Sequence, residues 1–417
     1  MADQVSITYA KEKRKKGAVL KVVGVGGAGG NAVNRMIEEG LQGVEFVAVN
    51  TDIQDLANIK SPAQTLQIGE KITRGLGTGS NAEVGMQAAL ESTEAIIDLL
   101  EGANMVFITA GMGGGTGTGA SQVVANHASS MGVLTVAVVT RPFEFEGQTR
   151  MDVAESGIQG LMGSVDAVIV IPNQRLFELE DADVSYKDAY KQVDEILLKA
   201  VRGISDIINN PGYQNVDFAD VRAAMSEKGM TLMGTGEAKG ENRAEEAARK
   251  ALTSPLLDNI SIDGATGILY NITAASNLTL REIGVISEII KGNSSPGAKV
   301  KFGIVDDEGM GDFLRVTVIA TGFNDESKRN YFRPKPQAAS YSRPRTPVKV
   351  APPPPPEKKA EAEERYIFKP RENTANLAEK YDYINDNTLP SMAPNPEDFE
   401  DILDVPVFQR PKVTEKK

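Results

Sequence analysis

Three glycine-rich runs carry the most chemistry in this 417-residue chain. The first, GVGGAGGN at 24–31, holds Gly24, Gly26 and Gly29 in the spacing G-x-G-x-x-G. It follows an apolar, strand-like run and opens a helix-like one. Glycines there let the backbone approach a phosphate, and a helix start offers oriented N–H groups and a positive dipole end. Asp52 follows Gly29 by 23 residues, where the ribose-binding acid of a dinucleotide site would sit. The competing reading is a turn that needs glycine only for close strand–helix packing. The second run, GMGGGTGTG at 111–119, also lies between a strand-like run and a helix-like one. A second cradle is foreign to the dinucleotide pattern. It has no lysine, so it is not a G-x-x-x-x-G-K-[ST] loop. Phosphate charge at such a loop has to be met by N–H groups, hydroxyls, the helix dipole and a bound metal ion. The third run, GLGTGSN at 75–81, is placed to cap a terminal phosphate.

The elements that position these loops are legible as alternation. Continuous Val- and Ile-rich runs at 19–25, 44–50, 105–110, 133–140 and 165–171 read as strands buried on both faces. Helix-like stretches such as 81–100 fall between them, which predicts an α/β domain built on a parallel sheet. Residues 187–210 keep apolar side chains at helical period from Tyr190 to Ile208, with no internal proline. They read as a long buried central helix, stopped by Pro211 and Gly212. Candidate strands at 264–273, 299–305 and 313–320 then predict a second α/β domain.

Composition sets the outer limits. Net charge is 45 − 57 = −12, which argues against a general binder of nucleic-acid backbones. There is no cysteine, so no disulfide, thiol nucleophile or thiolate metal site is available. The single His127 rules out a multi-histidine metal site and reads as a structural residue on the helix after the second loop. No apolar run reaches the ~20 residues that span a bilayer, and the basic start at 11–16 leads into too short an apolar run for a signal peptide. A soluble cytoplasmic chain is expected. All glycines lie at or before Gly322, whereas 15 of the 21 prolines lie in the last 87 residues. Residues 323–398 therefore read as a solvated linker, stiffened where proline is dense. After it, Ile402, Leu403, Val405, Val407 and Phe408 cluster in DILDVPVFQR at 401–410.

At this point the residues match a family. GGGTGTG at 113–119 resembles the signature of the tubulin/FtsZ family. GVGGAGGNAVNRM, VAVNTD, TRGLGTGSN, PFEFEGQTRM, NVDFADVRAAMSEKGM, SPLLDNISIDGATGILYNIT and LRVTVIATG resemble segments of its bacterial division branch, in the expected order over 19–322. The resemblance implies a GTP-binding domain at 19–186, the central helix at 187–210 and a GTPase-activating domain at 211–322. A flexible start at 1–18, the linker and a partner-binding peptide at 399–417 complete the expected plan. It further implies GTP/GDP as ligand, with Mg²⁺ bound through the nucleotide rather than by protein side chains. A head-to-tail homopolymer forming a ring at the division site is implied too, with 399–417 docking on membrane-adaptor division proteins. Nucleic acid and direct membrane insertion are not expected.

Carried over residue by residue, the family implies that Gly27, Ala28, Gly29, Gly30 and Asn31, with Gly115, Thr116 and Gly117, hold phosphates. Glu146 and Arg150 would contact ribose and phosphates; the bland reading is an i,i+4 ion pair. Asn173 ends a strand, where α/β sheets present ligand groups. Tyr190 and Asp194 lie four apart and share a helix face. The ring would stack on a base, and the carboxylate would accept from guanine N1–H and N2–H, a donor pair adenine lacks. Glu195 is the alternative carboxylate, and the bland reading is a core-edge tyrosine with a dipole-compensating acid. Asp217 and Asp220 are the hydrolytic candidates, entering a neighbouring subunit's site to position the attacking water. Their bland reading is a cap on the helix after 217.

Overall fold

The apolar runs form strands because only burial on both sides satisfies them. In the computed structural model, which describes residues 17–175, 185–209, 216–226, 229–254 and 265–323, seven strands make the first sheet. These are β1 (Leu20–Val25), β2 (Val44–Asn50), β3 (Gln64–Gln67), β4 (Met105–Gly111), β5 (Leu134–Arg141), β6 (Ala167–Pro172) and a two-residue β7 (Gly229–Met230). Every pairing is parallel and the order is β3-β2-β1-β4-β5-β6-β7. The first six follow the doubly wound order 3-2-1-4-5-6, whose direction of winding reverses between β1 and β4. Seven helices follow or link these strands: α1 (Gly26–Glu38), α2 (Ile53–Ala57), α3 (Glu70–Thr73), α4 (Ala82–Glu91), α5 (Thr93–Leu100), α6 (Thr116–Ser130) and α7 (Gln148–Met162).

Alternate residues of β1 feed two cores. Leu20 and Val22 pack with α1, while Val23 and Val25 pack on the opposite face with α4 and α6. The central helix α8 (Tyr186–Asn209) buries Val201, Ile204 and Ile207 in the first of these cores. Met233, Leu269 and Ile319 of the second sheet join the same cluster, so α8 is packed between the two sheets. The second sheet comprises β8 (Leu232–Lys239), β9 (Gly267–Ala274), β10 (Lys299–Asp306) and β11 (Phe313–Thr321) in the order β10-β9-β11-β8. It is mixed, with β9 and β10 parallel and β11 antiparallel to both β8 and β9. Helices α9 (Phe218–Met225), α10 (Arg243–Leu252) and α11 (Leu280–Gly292) complete the described chain.

Three departures from the sequence reading have local causes. The stretch at 81–100 is two helices, broken at Ser92, whose hydroxyl accepts the Gly69 N–H at 3.1 Å. β3 is a short, polar edge strand with no apolar pattern to reveal it. β8, LMGTGEAK, carries glycines that look like turn signals. A Cβ on Gly236 would meet Ala247 O at 2.2 Å, so that glycine serves close approach of α10 to the strand. The peptide at 399–417 and the linker from 324 onward lie outside the described residues.

Candidate nucleotide site

Two helix starts lie side by side at the reversal point of the first sheet. α1 begins directly after β1, and α6 begins after β4, the neighbouring strand. Neither first turn is capped by a side chain, so their N–H groups are unclaimed by a cap. This is the arrangement that binds an anion.

The glycines divide by what surrounds them. A Cβ on Gly24 would meet Gly29 O at 2.3 Å, and one on Gly29 would meet Thr109 O at 2.5 Å. At those two positions the packing reading holds: α1 sits too close to β1 and β4 for any side chain. Gly119 is similar, since its Cβ would fall 1.9 Å from Ala82 O where α6 packs on α4. Gly114 differs. It has an ordinary φ and nothing within 4 Å of where a Cβ would sit. The fold does not require glycine there.

Hydroxyls tie the three glycine runs together. Thr116 Oγ1 lies 2.7 Å from Thr51 Oγ1 and 3.4 Å from Thr78 Oγ1, linking the start of α6, the end of β2 and the third run. Thr118 Oγ1 accepts the Gly113 N–H at 2.9 Å and braces the second run. Asp52, placed by sequence where a ribose-binding acid would sit, instead caps α2, accepting from Gln54 N–H at 2.8 Å.

One cavity opens at the C-terminal ends of β4, β5 and β6. Ala28 and Asn31 of α1, Gly111, Thr140, Glu146, Arg150 and Asn173 line it, with Tyr190 and Asp194 from α8. The structure therefore brings together residues from five separate parts of the sequence reading. Met112, Pro142, Val193 and Leu197 also line it and were not singled out from sequence. They are apolar wall, and only the third dimension distinguishes them from core. Gly27, Gly29, Gly30, Gly115, Thr116 and Gly117 stand at the two helix starts rather than in the cavity lining.

Glu146 and Arg150 form an ion pair at 2.8 Å, and Glu146 Oε1 also accepts the Phe143 N–H at 2.9 Å. The i,i+4 pair of the bland reading exists, but it sits in the cavity wall. Tyr190 packs edge-on against Phe143, with ring centroids 5.4 Å apart. Burial, and then the Glu146 carboxylate, raise its phenol above the ordinary value. Asn173 is buried and its Oδ1 has no hydrogen-bond partner. An orphaned buried acceptor costs about 1–3 kcal/mol, which a ligand donor in the cavity would recover.

Asp194 is the most perturbed acid of the site. Burial pushes its carboxyl up to about 7; the Arg35 guanidinium opposes this and Glu38 adds to it. Glu195, the alternative carboxylate, pairs instead with Lys199 at 3.0 Å and does not line the cavity.

Asp217 and Asp220 are elsewhere. Neither lines the cavity. Asp217 caps α9 by accepting the Asp220 N–H at 2.7 Å, as the bland reading expects. The same helix is anchored by Arg222, which donates to Gly132 O at 2.8 Å. Gly132 precedes β5 and Thr140, which lines the cavity, lies next to its last residue, so the strand separates the two features by roughly 25 Å. His127 lies 3.5 Å from Thr93 Oγ1 on the far part of α6, away from the cavity.

Comparison with known proteins decides the family. Residues 19–181 match the GTPase domain of the Tubulin/FtsZ family, and 229–324 match the C-terminal domain of the FtsZ family. The cell division protein FtsZ of Pseudomonas aeruginosa is 55% identical over 305 residues, covering 73% of this chain and 77% of that one. That of Coxiella burnetii is 50% identical over 316 residues, covering 76% and 82%. This chain belongs to the FtsZ family. Among solved structures, an empty FtsZ dimer of M. jannaschii superposes with a TM-score of 0.70 at 44% identity, covering 74% of this chain and 89% of that one. The GTPase domain of an FtsZ-family chain makes a guanine nucleotide the ligand class. The doubly wound sheet and the second mixed sheet are the family's fold. Among the described residues no helix is long and apolar enough to cross a membrane.

Proposed function

We propose that this chain is an assembly-dependent GTPase whose active site is completed by a second copy stacked head to tail. The carrying observation is the separation of two half-sites. The cavity and both open helix starts lie at one end of the first sheet, and Asp217 and Asp220 lie on a helix anchored at the other. A contact that joins one end of a subunit to the opposite end of the next does not close on itself, so it propagates as a filament.

In this reading Gly27 to Asn31 and Gly115 to Gly117 hold the phosphates by N–H groups. Glu146 and Arg150 contact ribose and phosphate, Asn173 and Asp194 read the guanine edge, and Tyr190 covers the base. Among the described residues no three acidic or histidine side chains converge on a metal position. The loops offer hydroxyls and N–H groups, which fits Mg²⁺ carried by the nucleotide's own phosphate oxygens. Its charge offsets that of the phosphates. The chain's residues do the rest: they position the nucleotide and, through Asp217 and Asp220 of the next copy, hold the attacking water in line. The filaments form the ring at the division site, in the cytoplasm. Membrane attachment runs through adaptor proteins that take up 399–417.

Turnover per molecule measured against protein concentration tests this reading. A steep rise with concentration is expected, together with light scattering that appears with GTP and not with GDP. A rate per molecule that stays constant down to the lowest measurable concentration would sink the shared site.

A further inference from the structure

Asp220 has a partner that the shared site does not explain. Its Oδ1 lies 3.1 Å from Lys301 Nζ, and both side chains are open to solvent. Lys301 is the third residue of β10, an edge strand of the second sheet. Val300 and Phe302 pack toward the core of that domain, so alternation sends Lys299 and Lys301 outward on one face beside α9. The one cation on α9 itself is committed elsewhere: Arg222 donates to Gly132 O and lies over the Phe218 ring. Asp217 spends its Oδ1 on the Asp220 N–H. Among the described residues, Lys301 is the cation paired with either acid.

An exposed pair like this adds little to folding. Its consequence comes with docking. Residues 1–322 carry 28 basic and 41 acidic side chains, a balance of 28 − 41 = −13. Against that background, a face bearing two carboxylates has to approach a polyphosphate. Repulsion between like charges grows as the contact expels water and the local dielectric falls. A carboxylate already paired with an ammonium ion meets far less of it.

We propose that Lys301 is a positioning residue of the hydrolytic face: it holds the Asp220 carboxylate in one place and offsets its charge, so that this face can be seated on the nucleotide polyphosphate of a second copy of this chain. The proposal rests on the shared-site reading. Lys301 acts through Asp220 and not on the reacting atoms.

The test uses the full-length chain and the variants K301Q, K301R, D217A, D220N and D220N/K301Q. GTP binding by dilute protein, thermal melting, critical concentration by light scattering and turnover per assembled subunit are measured at low and high ionic strength. K301Q should leave GTP binding and melting unchanged. It should raise the critical concentration at low salt by roughly fivefold, the upper end for an exposed pair. The difference should shrink at high salt, where repulsion is screened. K301R should behave as the unmodified chain, and K301Q should add nothing on the D220N background, where the carboxylate charge that Lys301 pairs with is already gone. A lysine with only a packing role would lower the melting temperature and show neither dependence. If K301Q assembles and turns over normally while D217A is inactive, the role of Lys301 is wrong and the shared site stands. The proposal also falls if K301Q acts independently of salt and of Asp220. If D217A itself turns over normally, the shared site fails and takes this proposal with it.

Discussion

The two ends of the first sheet are built on opposite principles. At the end that carries the glycine runs, the polar groups at the back of the cavity are enclosed, although Tyr190 and Arg150 at its rim are exposed: Asn173 is 4% exposed with an orphaned acceptor, and burial lifts the half-buried Asp194 carboxyl to about 7. At the other end, Asp220 is open to water and Asp217 is a helix cap. An enclosed site with strained electrostatics is ready for a ligand. On the proposed reading, an exposed acid with a solvated partner would act only once a second copy covers it. On the reading proposed above, the contrast means that one chain would carry a finished binding site and a catalytic one that a second copy completes.

The largest effect should come from the unfinished end. Asp217→Ala or Asp220→Ala should reduce turnover by about 100-fold or more, in the range seen when a group that positions a reacting proton or charge is lost. GTP binding by the monomer should be nearly unchanged, because neither residue lines the cavity. A mixing experiment sharpens this. Asp217→Ala keeps an intact nucleotide site, and a variant unable to bind GTP keeps an intact α9 face. Each is inactive alone, and an equimolar mixture should recover part of the turnover. No recovery in a mixture that still co-assembles would break the comparison.

Next in size is Asp194. Asp194→Ala removes a half-buried carboxyl that accepts from guanine in its ionised form, which should weaken GTP binding by about 1.5–3 kcal/mol and relax the preference over ATP. Competition binding with the two nucleotides checks it. The pH dependence has a definite sign. The carboxyl of the empty site titrates at about 7, raised by burial. A guanine that donates from N1–H and N2–H selects the ionised form. Affinity should therefore fall as pH drops below that value, by about tenfold per unit. The stability of the empty protein moves the other way. A raised folded-state value favours the folded chain at acid pH, and that contribution is lost as pH rises toward 7. Asp194→Asn should remove both trends. Unchanged pH profiles would move guanine reading to Asn173 alone.

Much of this was legible in the sequence, and the failures have physical causes. Five long strands of the first sheet announced themselves because burial on both faces demands unbroken Val and Ile runs. The polar β3 and the glycine-bearing β8 did not, since their stability comes from neighbours rather than from their own pattern. The glycine runs pointed to a phosphate site, but spacing alone could not separate glycines that serve packing from those with open space around them. Gly24 and Gly29 satisfy the dinucleotide spacing and turn out to be close contacts. Asp52 shows the same ambiguity, because a carboxylate after a strand is equally a cap. Asp194 over Glu195 needed the rotation of α8, which periodicity gives only to within a residue.

A smaller effect tests that distinction between glycines. Gly114→Ala meets nothing within 4 Å and needs no unusual φ, so melting of the nucleotide-free protein should shift little. GTP affinity should still fall by about tenfold if the new methyl group stands where a phosphate approaches the backbone, the size of one lost charge-assisted hydrogen bond. Gly119→Ala should do the reverse, lowering the melting temperature through the clash with α4. Isothermal binding and thermal melting on both variants separate the two. Equal losses of stability would mean the whole run is held by packing.

The smallest effect on turnover should come from the largest deletion. Both half-sites lie within 17–323, so removing 399–417 should leave GTP hydrolysis and filament formation within about twofold of the full chain. What it should abolish is attachment to the membrane. The described residues offer no helix able to span a bilayer, and the sequence after the linker gathers Ile402, Leu403, Val405, Val407 and Phe408 among acids. A short apolar motif on a long tether orders when it meets a partner's surface, with Pro406 limiting the conformations it has to lose. The alternative is that it folds back on its own globular part. A peptide of 399–417 titrated against a purified membrane adaptor, and separately against the 1–322 fragment, distinguishes the two. Binding only to the fragment, with slower turnover on its removal, would turn the tail from a tether into part of the enzyme, and the division of labour between the two ends of the sheet would need a third term.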